Sequence, residues 1–194
     1  MIMSSQKRTV EKPITIGSCT VYLKEYVGDT MPTVAEMCVE ANRFAYVKNG
    51  ATIRYSQTSQ EVSDDLGKIR KTVFSGDEAT VQLGVLGWIG TTLEKAISTA
   101  EVTTDNNHRI TKIGGVGNDD GKRYVVCLHH EDKQDGDCWW MLVGKNTEGL
   151  ELQYQMEDGT VFQPTFKAEP YDEDGHLLWF EEELAAVTGT GNAG

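Results

Sequence analysis

The stretch from Phe74 to Ala100 constrains the fold most, because its apolar period changes once and cleanly. Ala79, Val81, Leu83 and Val85 alternate with Thr80, Gln82 and Gly84, as in an extended strand with one buried face. Leu93, Ala96, Ile97 and Ala100 then recur at i, i+3, i+4 and i+7, which makes one helical stripe. Thr91, with Glu94 three residues later, has the spacing of a capping box. The pattern predicts a strand that runs directly into a short capped helix, with Leu93, Ala96 and Ile97 packing on the sheet. The rest of the chain patterns as strand and turn, so this is the one substantial helix expected.

Cys19–Val27 alternates as a strand, and Gly28–Pro32 breaks it. Thr33–Asn42 has Val34, Met37, Cys38 and Ala41 at helical spacing, which fits a short helix or an apolar-anchored loop equally. Asn49-Gly50 sits between Phe44–Val47 and Thr52–Tyr55, and predicts a hairpin with a type I′ turn over Arg43–Tyr55. Ser56–Lys71 is too polar for a core strand and long for an idle connection, so it is predicted as a loop that is either unstructured or used for contact. Beyond Glu101 a meander is expected. It runs through His108–Ile113, a Gly-rich tip at Gly114–Gly121, a strand at Tyr124–Leu128 buried on both faces, and a strand at Trp139–Val143. Leu150–Met156 and Thr160–Ala168 flank Asp158-Gly159 as a further hairpin. Pro164 makes the second of these an edge or bulged strand. Asp174-Gly175 turns the chain into His176–Phe180.

With 194 residues the chain fits one domain, here residues 16–183 between an N-terminal arm (1–15) and a C-terminal tail (184–194). Met1–Lys12 lacks the apolar core of a signal peptide, and no apolar run reaches a membrane span. Cys19, Cys38, Cys127 and Cys138 form no C-x-x-C pair and are expected reduced. The net charge of −12 argues against tight nucleic-acid binding, since affinity for phosphate comes from Lys and Arg.

The candidate chemistries are thin. Gly114–Lys122 misses the spacing of a phosphate loop, and Lys122 is followed by Arg123 rather than Ser or Thr. Cys127 and His129 would share a strand face near His130 and Cys138, but no fourth zinc ligand is specified. Asp172-Glu173-Asp174-Gly175 begins like a calcium loop yet has Leu177 where Gly is required. Trp139, Trp140, Trp179 and Phe180 could make a sugar-stacking platform, although such residues are more often core or interface. No nucleophile has a supporting base, so neither a catalytic site, a metal nor a cofactor is expected.

The order of lengths and turns resembles the tail tube (major tail) proteins of long-tailed bacteriophages. The features that carry this are Thr72-Val73-Phe74-Ser75-Gly76-Asp77-Glu78-Ala79-Thr80-Val81 flowing into a strand and helix after a polar loop, Gly149-Leu150-Glu151-Leu152, Pro164-Thr165-Phe166-Lys167-Ala168, and the closing Gly175-His176-Leu177-Leu178-Trp179-Phe180-Glu181-Glu182. The likeness spans roughly residues 15 to 183 and is a pattern rather than a fingerprint. It implies a mainly β (α+β) fold, an antiparallel β-sandwich or half-barrel flanked by one short α-helix, with extended arms and a long inter-strand loop. It further implies a non-enzymatic subunit of a virion tail, assembled in the host bacterial cytoplasm into hexameric rings that stack as a tube. Its partners would be copies of itself, a tape-measure protein, and tail terminator and distal tail or baseplate proteins. DNA would pass through the lumen without specific binding, and no membrane would be involved. Six chains at −12 would give a ring of roughly −72, a field that repels DNA. The loop 56–71 would reach neighbouring subunits or rings, with Ser56, Gln60, Asp64, Asp65, Lys68 and Arg70 as its contact residues. The tube of a contractile phage-like bacteriocin or secretion system fits the same pattern. A β-sandwich carbohydrate-binding module and a small hydrolase with a dispersed acidic site are the readings from other classes.

Overall fold

The computed structural model describes residues 17–184 except 29, 134, 153 and 155–158. The N-terminal arm, the tail beyond Leu184, Asp158 of the expected Asp158-Gly159 turn and the end of the expected 150–156 strand lie outside the described residues. The fold is mainly β and antiparallel, of sandwich or half-barrel type with short helices. In chain order the elements are β1 (Thr20–Glu25), α1 (Val34–Met37), β2 (Arg43–Ser63), β3 (Arg70–Leu86), α2 (Gly90–Ala96), β4 (Ala100–Asp105), β5 (His108–Ile113), β6 (Tyr124–His130), β7 (Cys138–Asn146), β8 (Val161–Phe162), β9 (Thr165–Glu169) and β10 (Trp179–Glu182). Short 3-10 turns occupy Glu40–Asn42 and Val116–Asn118.

The main sheet runs β10-β7-β6-β1-β2-β3-β8, and β9 pairs with both β3 and β7. That double pairing (Val81 opposite Phe166, Gly144 opposite Ala168) closes β1, β2, β3, β9, β7 and β6 on themselves. Closure creates an inside. Val21, Leu23, Ala79, Val81, Leu83, Val85, Val126, Leu142, Phe162 and Phe166 fill it, each nearly or fully buried. Leu93 and Ala96 of α2 and its C-cap Ile97 join the same interior cluster, so the helix seals one end of the barrel. The outer face of β6 and β7 is also covered. Met37 of α1 packs there with Tyr26, Val125, Cys127, Met141 and Val143. This second layer is why Tyr124–Leu128 reads as continuously apolar.

Several local readings are corrected by the structure. Arg43–Tyr55 is not a hairpin, and Asn49-Gly50 is not its turn. β2 runs through both, and Val47 opposes Val85 while Ala51 opposes Leu83. Lys48, Asn49 and Gly50 therefore face the single residue Gly84, as a bulge. Gly84 is what admits that bulge, because a Cβ there would lie 2.0 Å from the Lys48 carbonyl oxygen. A two-residue turn does occur at Asn106-Asn107 (φ 43° and 67°), joining β4 to β5. Thr91 does not cap α2. The cap is Ile89, and Thr92 Oγ1 accepts from Ile89 N at 3.4 Å. The helix begins at Gly90 because β5 presses on it: a Cβ at Gly90 would come within 2.6 Å of Thr111 Oγ1. Thr33–Asn42 does contain a helix, α1, closed by a capping box in which Glu36 N donates to Thr33 Oγ1 and Thr33 N to Glu36 Oε2. Residues 150–152 are not strand, and the expected strand over Thr160–Ala168 is broken at Gln163-Pro164 into β8 and β9. Pro164, lacking an N–H, instead gives its carbonyl to Leu83 N at 3.1 Å.

Two substitutions test this account. Gly84→Ala should destabilise by at least about 2 kcal/mol in urea unfolding, because the bulge must move. Leu93→Asp, which puts a charge where Leu93 is 7 % exposed, should abolish the cooperative transition altogether.

Candidate functional site

The segment expected as a loop, Ser56–Lys71, is instead the outer part of a two-stranded ribbon. β2 and β3 stay paired from Tyr55 opposite Ala79 to Ser63 opposite Arg70. At about 3.3 Å per residue, Tyr55–Ser63 carries the ribbon roughly 26 Å past the barrel. Thr, Val, Tyr and Phe along it suit a strand, and its turn is built from Asp64-Asp65-Leu66-Gly67. Gly67 N donates to Asp64 O at 2.9 Å, Gly67 has φ 64°, and Asp64 Oδ1 accepts from Ile69 N at 2.8 Å. The true hairpin turn is therefore here, some fifteen residues beyond Asn49-Gly50 by sequence number. A bulge at Ser75, whose Oγ donates to Thr58 O at 3.0 Å, interrupts the register midway.

Both faces of this ribbon are exposed. One continues the barrel's inward face and carries Tyr55, Gln57, Ser59, Phe74 and Arg70. The other carries Ser56, Gln60, Val62 and Val73. Tyr55 OH donates to Asp77 Oδ2 at 3.0 Å and Gln57 Nε2 to Tyr55 OH at 3.1 Å. Of the six expected contact residues, Ser56 and Gln60 share the outward face, Asp64, Asp65 and Lys68 lie in the turn, and Arg70 is on the opposite face, 3.6 Å from Glu61. Asp64 closes the turn rather than presenting a free carboxylate. Sequence reasoning missed the apolar residues that the ribbon exposes. Phe74 is 56 % accessible, Val62 63 %, Leu66 76 % and Ile69 72 %. Their signal was present as isolated large hydrophobics in a polar stretch.

The chemical candidates resolve into structural roles. In the Gly-rich tip, Asn118 Nδ2 donates to Gly114 O, and Asp119 accepts from Gly121 N, which holds its carboxyl below the usual range. Cys127 and His129 do face the same outer side, but His129 Nε2 lies 2.9 Å from Asp137 Oδ2 and its ring stacks on Trp139. Burial drives the Cys127 thiol far up, so it stays protonated. Cys138 lies on the other side of the sheet, and no cluster of three metal-capable side chains occurs among the described residues. Trp139 faces outward, whereas Trp140 faces inward against Phe180 at 4.6 Å. The neighbouring indoles therefore form no common platform. The calcium-like loop is a turn in which Asp172 accepts from His176 N and from its ring Nδ1 at 2.6 Å.

No protein-family model matches the chain, and no curated protein matches it.

The Asp172–His176 contact gives a measurable pH signature. Hydrogen bonding to Asp172 raises the His176 pKa, and the His176 backbone N–H lowers that of Asp172. The contribution from His176 is full below its unfolded pKa of about 6.5 and is lost as pH rises through the raised value. The contribution from Asp172 is lost as pH falls through its lowered value. An NMR titration should place His176 above 6.5, and Asp172→Asn should return it towards that value. An unshifted wild-type titration would show the contact to be absent in solution.

Proposed function

We propose that this chain is a self-assembling structural subunit of a phage-type tail tube, forming hexameric rings that stack into a conduit for DNA around a tape-measure protein. The observation that carries the reading is the ribbon of β2 and β3, exposed on both faces. An isolated two-stranded hairpin is marginal in water, and large apolar residues on it mark a contact surface. Such a ribbon makes physical sense when another copy covers it. Six-fold rings and the tape-measure cargo follow from the sequence resemblance.

Unpaired strand edges support the same reading. β2 pairs with β1 only at Arg43 and Ala45, so its long outer edge has no partner among the described residues. β10 ends the sheet on the other side among the described residues. Two open edges on one chain are a liability in a monomer. They are useful in a head-to-tail ring, where each edge meets a neighbour and the contact closes by rotation. The net charge of −12 suits a passage that must not hold DNA.

Electron microscopy of purified protein tests the reading, with tubes or six-fold rings as the expected outcome. A protein that remains monomeric at high concentration would overturn it. Excising residues 58–76 and joining Gln57 to Asp77 by an Asn-Gly turn removes only exposed ribbon. The melting temperature should stay within about 5 °C of the parent while assembly is lost. Tubes formed by the trimmed protein would remove the ribbon from any assembly role.

A further inference from the structure

Beyond the ribbon, a second surface is open among the described residues. At the barrel end away from α2, β2 diverges from β1 beyond Ala45 and leaves a groove of about 390 Å³ that reaches Gly50 and Ala51. Cys19, Ala51, Ile53, Leu128, Trp140 and Phe180 make it largely apolar. An engineered apolar cavity of about 150 Å³ accommodates benzene, so this one has room for two aliphatic side chains. His130 also lines it. His130 Nδ1 is 2.9 Å from Ser18 O, while its buried Nε2 has no hydrogen-bond partner among the described residues. Glu182 lies opposite Cys138, on the groove side of the sheet, and adds a negative charge beside it.

We propose that the groove receives the ribbon tip of a second copy of this chain, with Leu66 and Ile69 entering the apolar slot. This rests on the self-assembly reading and names the receiving surface. The occupant follows from complementarity. The tip offers two aliphatic side chains that are 76 % and 72 % exposed. Lys68 and Lys71 beside them are exposed and complement the charge of Glu182. His130 Nδ1 donates to Ser18 O, which leaves Nε2 of the neutral ring as an acceptor, and Lys68, exposed in the turn, supplies the donor it lacks. The occupant is not the same chain. The ribbon leaves the barrel beside Ile53, itself in the groove wall, and its tip stands roughly 26 Å away. Tip and groove are different surfaces, so the contact propagates from copy to copy.

Two variants and one labelling measurement test it. Leu66→Asp/Ile69→Asp disables the tip, and Ala51→Trp fills the groove. Each alone should be folded by circular dichroism and monomeric in sedimentation. Their mixture should give a 1:1 heterodimer and nothing larger, because one intact tip meets one intact groove. Maleimide labelling of Cys19, mapped by mass spectrometry, should slow by about tenfold or more on assembly of the parent protein. This readout does not depend on Ala51→Trp folding. If folded Ala51→Trp assembles like the parent, or if Cys19 labels equally in assembled and monomeric protein, the groove assignment is wrong while self-assembly stands. If the parent never assembles, the self-assembly reading falls and takes this proposal with it.

Discussion

Everything in this structure depends on β9 bonding to two strands at once. β3 and β7 belong to distant parts of the chain, and only the pairing of Phe166 with Val81 and of Ala168 with Gly144 brings them together. Without that closure Phe162, Phe166 and the inward faces of β1, β3 and β6 would have no enclosed volume to share. The close approach has a backbone cost that glycine meets. Gly144 stands where a Cβ would be 2.0 Å from the Lys167 carbonyl oxygen. Gly84 plays the same part across the barrel, against the bulge of β2. Closing the barrel and bending its longest strand are thus one geometric problem, solved at two residues that lack side chains.

The ribbon is the counterpart of that closed core. Within the barrel, β2 and β3 have a layer behind them, and Val81, Leu83 and Val85 are essentially inaccessible. Beyond Tyr55 and Ala79 the same two strands continue with no packed layer on either face among the described residues, held by their ladder, the Asp64 turn and a few polar contacts. Local stability therefore falls along a continuous hairpin, from a packed root to a tip that depends on its surroundings. A segment of that kind is suited to acquiring its packing from another molecule.

The outer layer formed by α1 and its neighbours shows how little helix is needed to cover a sheet face. Met37 is fully buried, although α1 has only four residues. The capping box of Thr33 and Glu36 and the Asn42 amide donating to Glu36 O fix this short segment in place. Burial raises the thiol pKa of Cys38 at its C-terminal end and of Cys127 beneath it, and the fully buried Cys127 acts as a small apolar side chain.

By itself, the sequence determined where faces change character. The alternation Ala79–Val85 marked the inward face of β3, the i, i+3, i+4 spacing placed Leu93, Ala96 and Ile97 on one side of a helix, and the continuous run Tyr124–Leu128 announced a strand buried on both sides. These are properties of side-chain period, which burial reads directly. What Asn49-Gly50 would do was not fixed locally, because the same dipeptide serves a turn or a bulge, and the partner opposite it, Gly84, is distant in sequence. The start of α2 likewise shifted to Gly90 because β5 packs against it. Only the tertiary structure decided that Ser56–Lys71 is paired ribbon rather than loop. A strand exposed on both faces has no apolar period to betray it, and its identity rests on hydrogen bonds to a partner strand that polarity alone does not reveal.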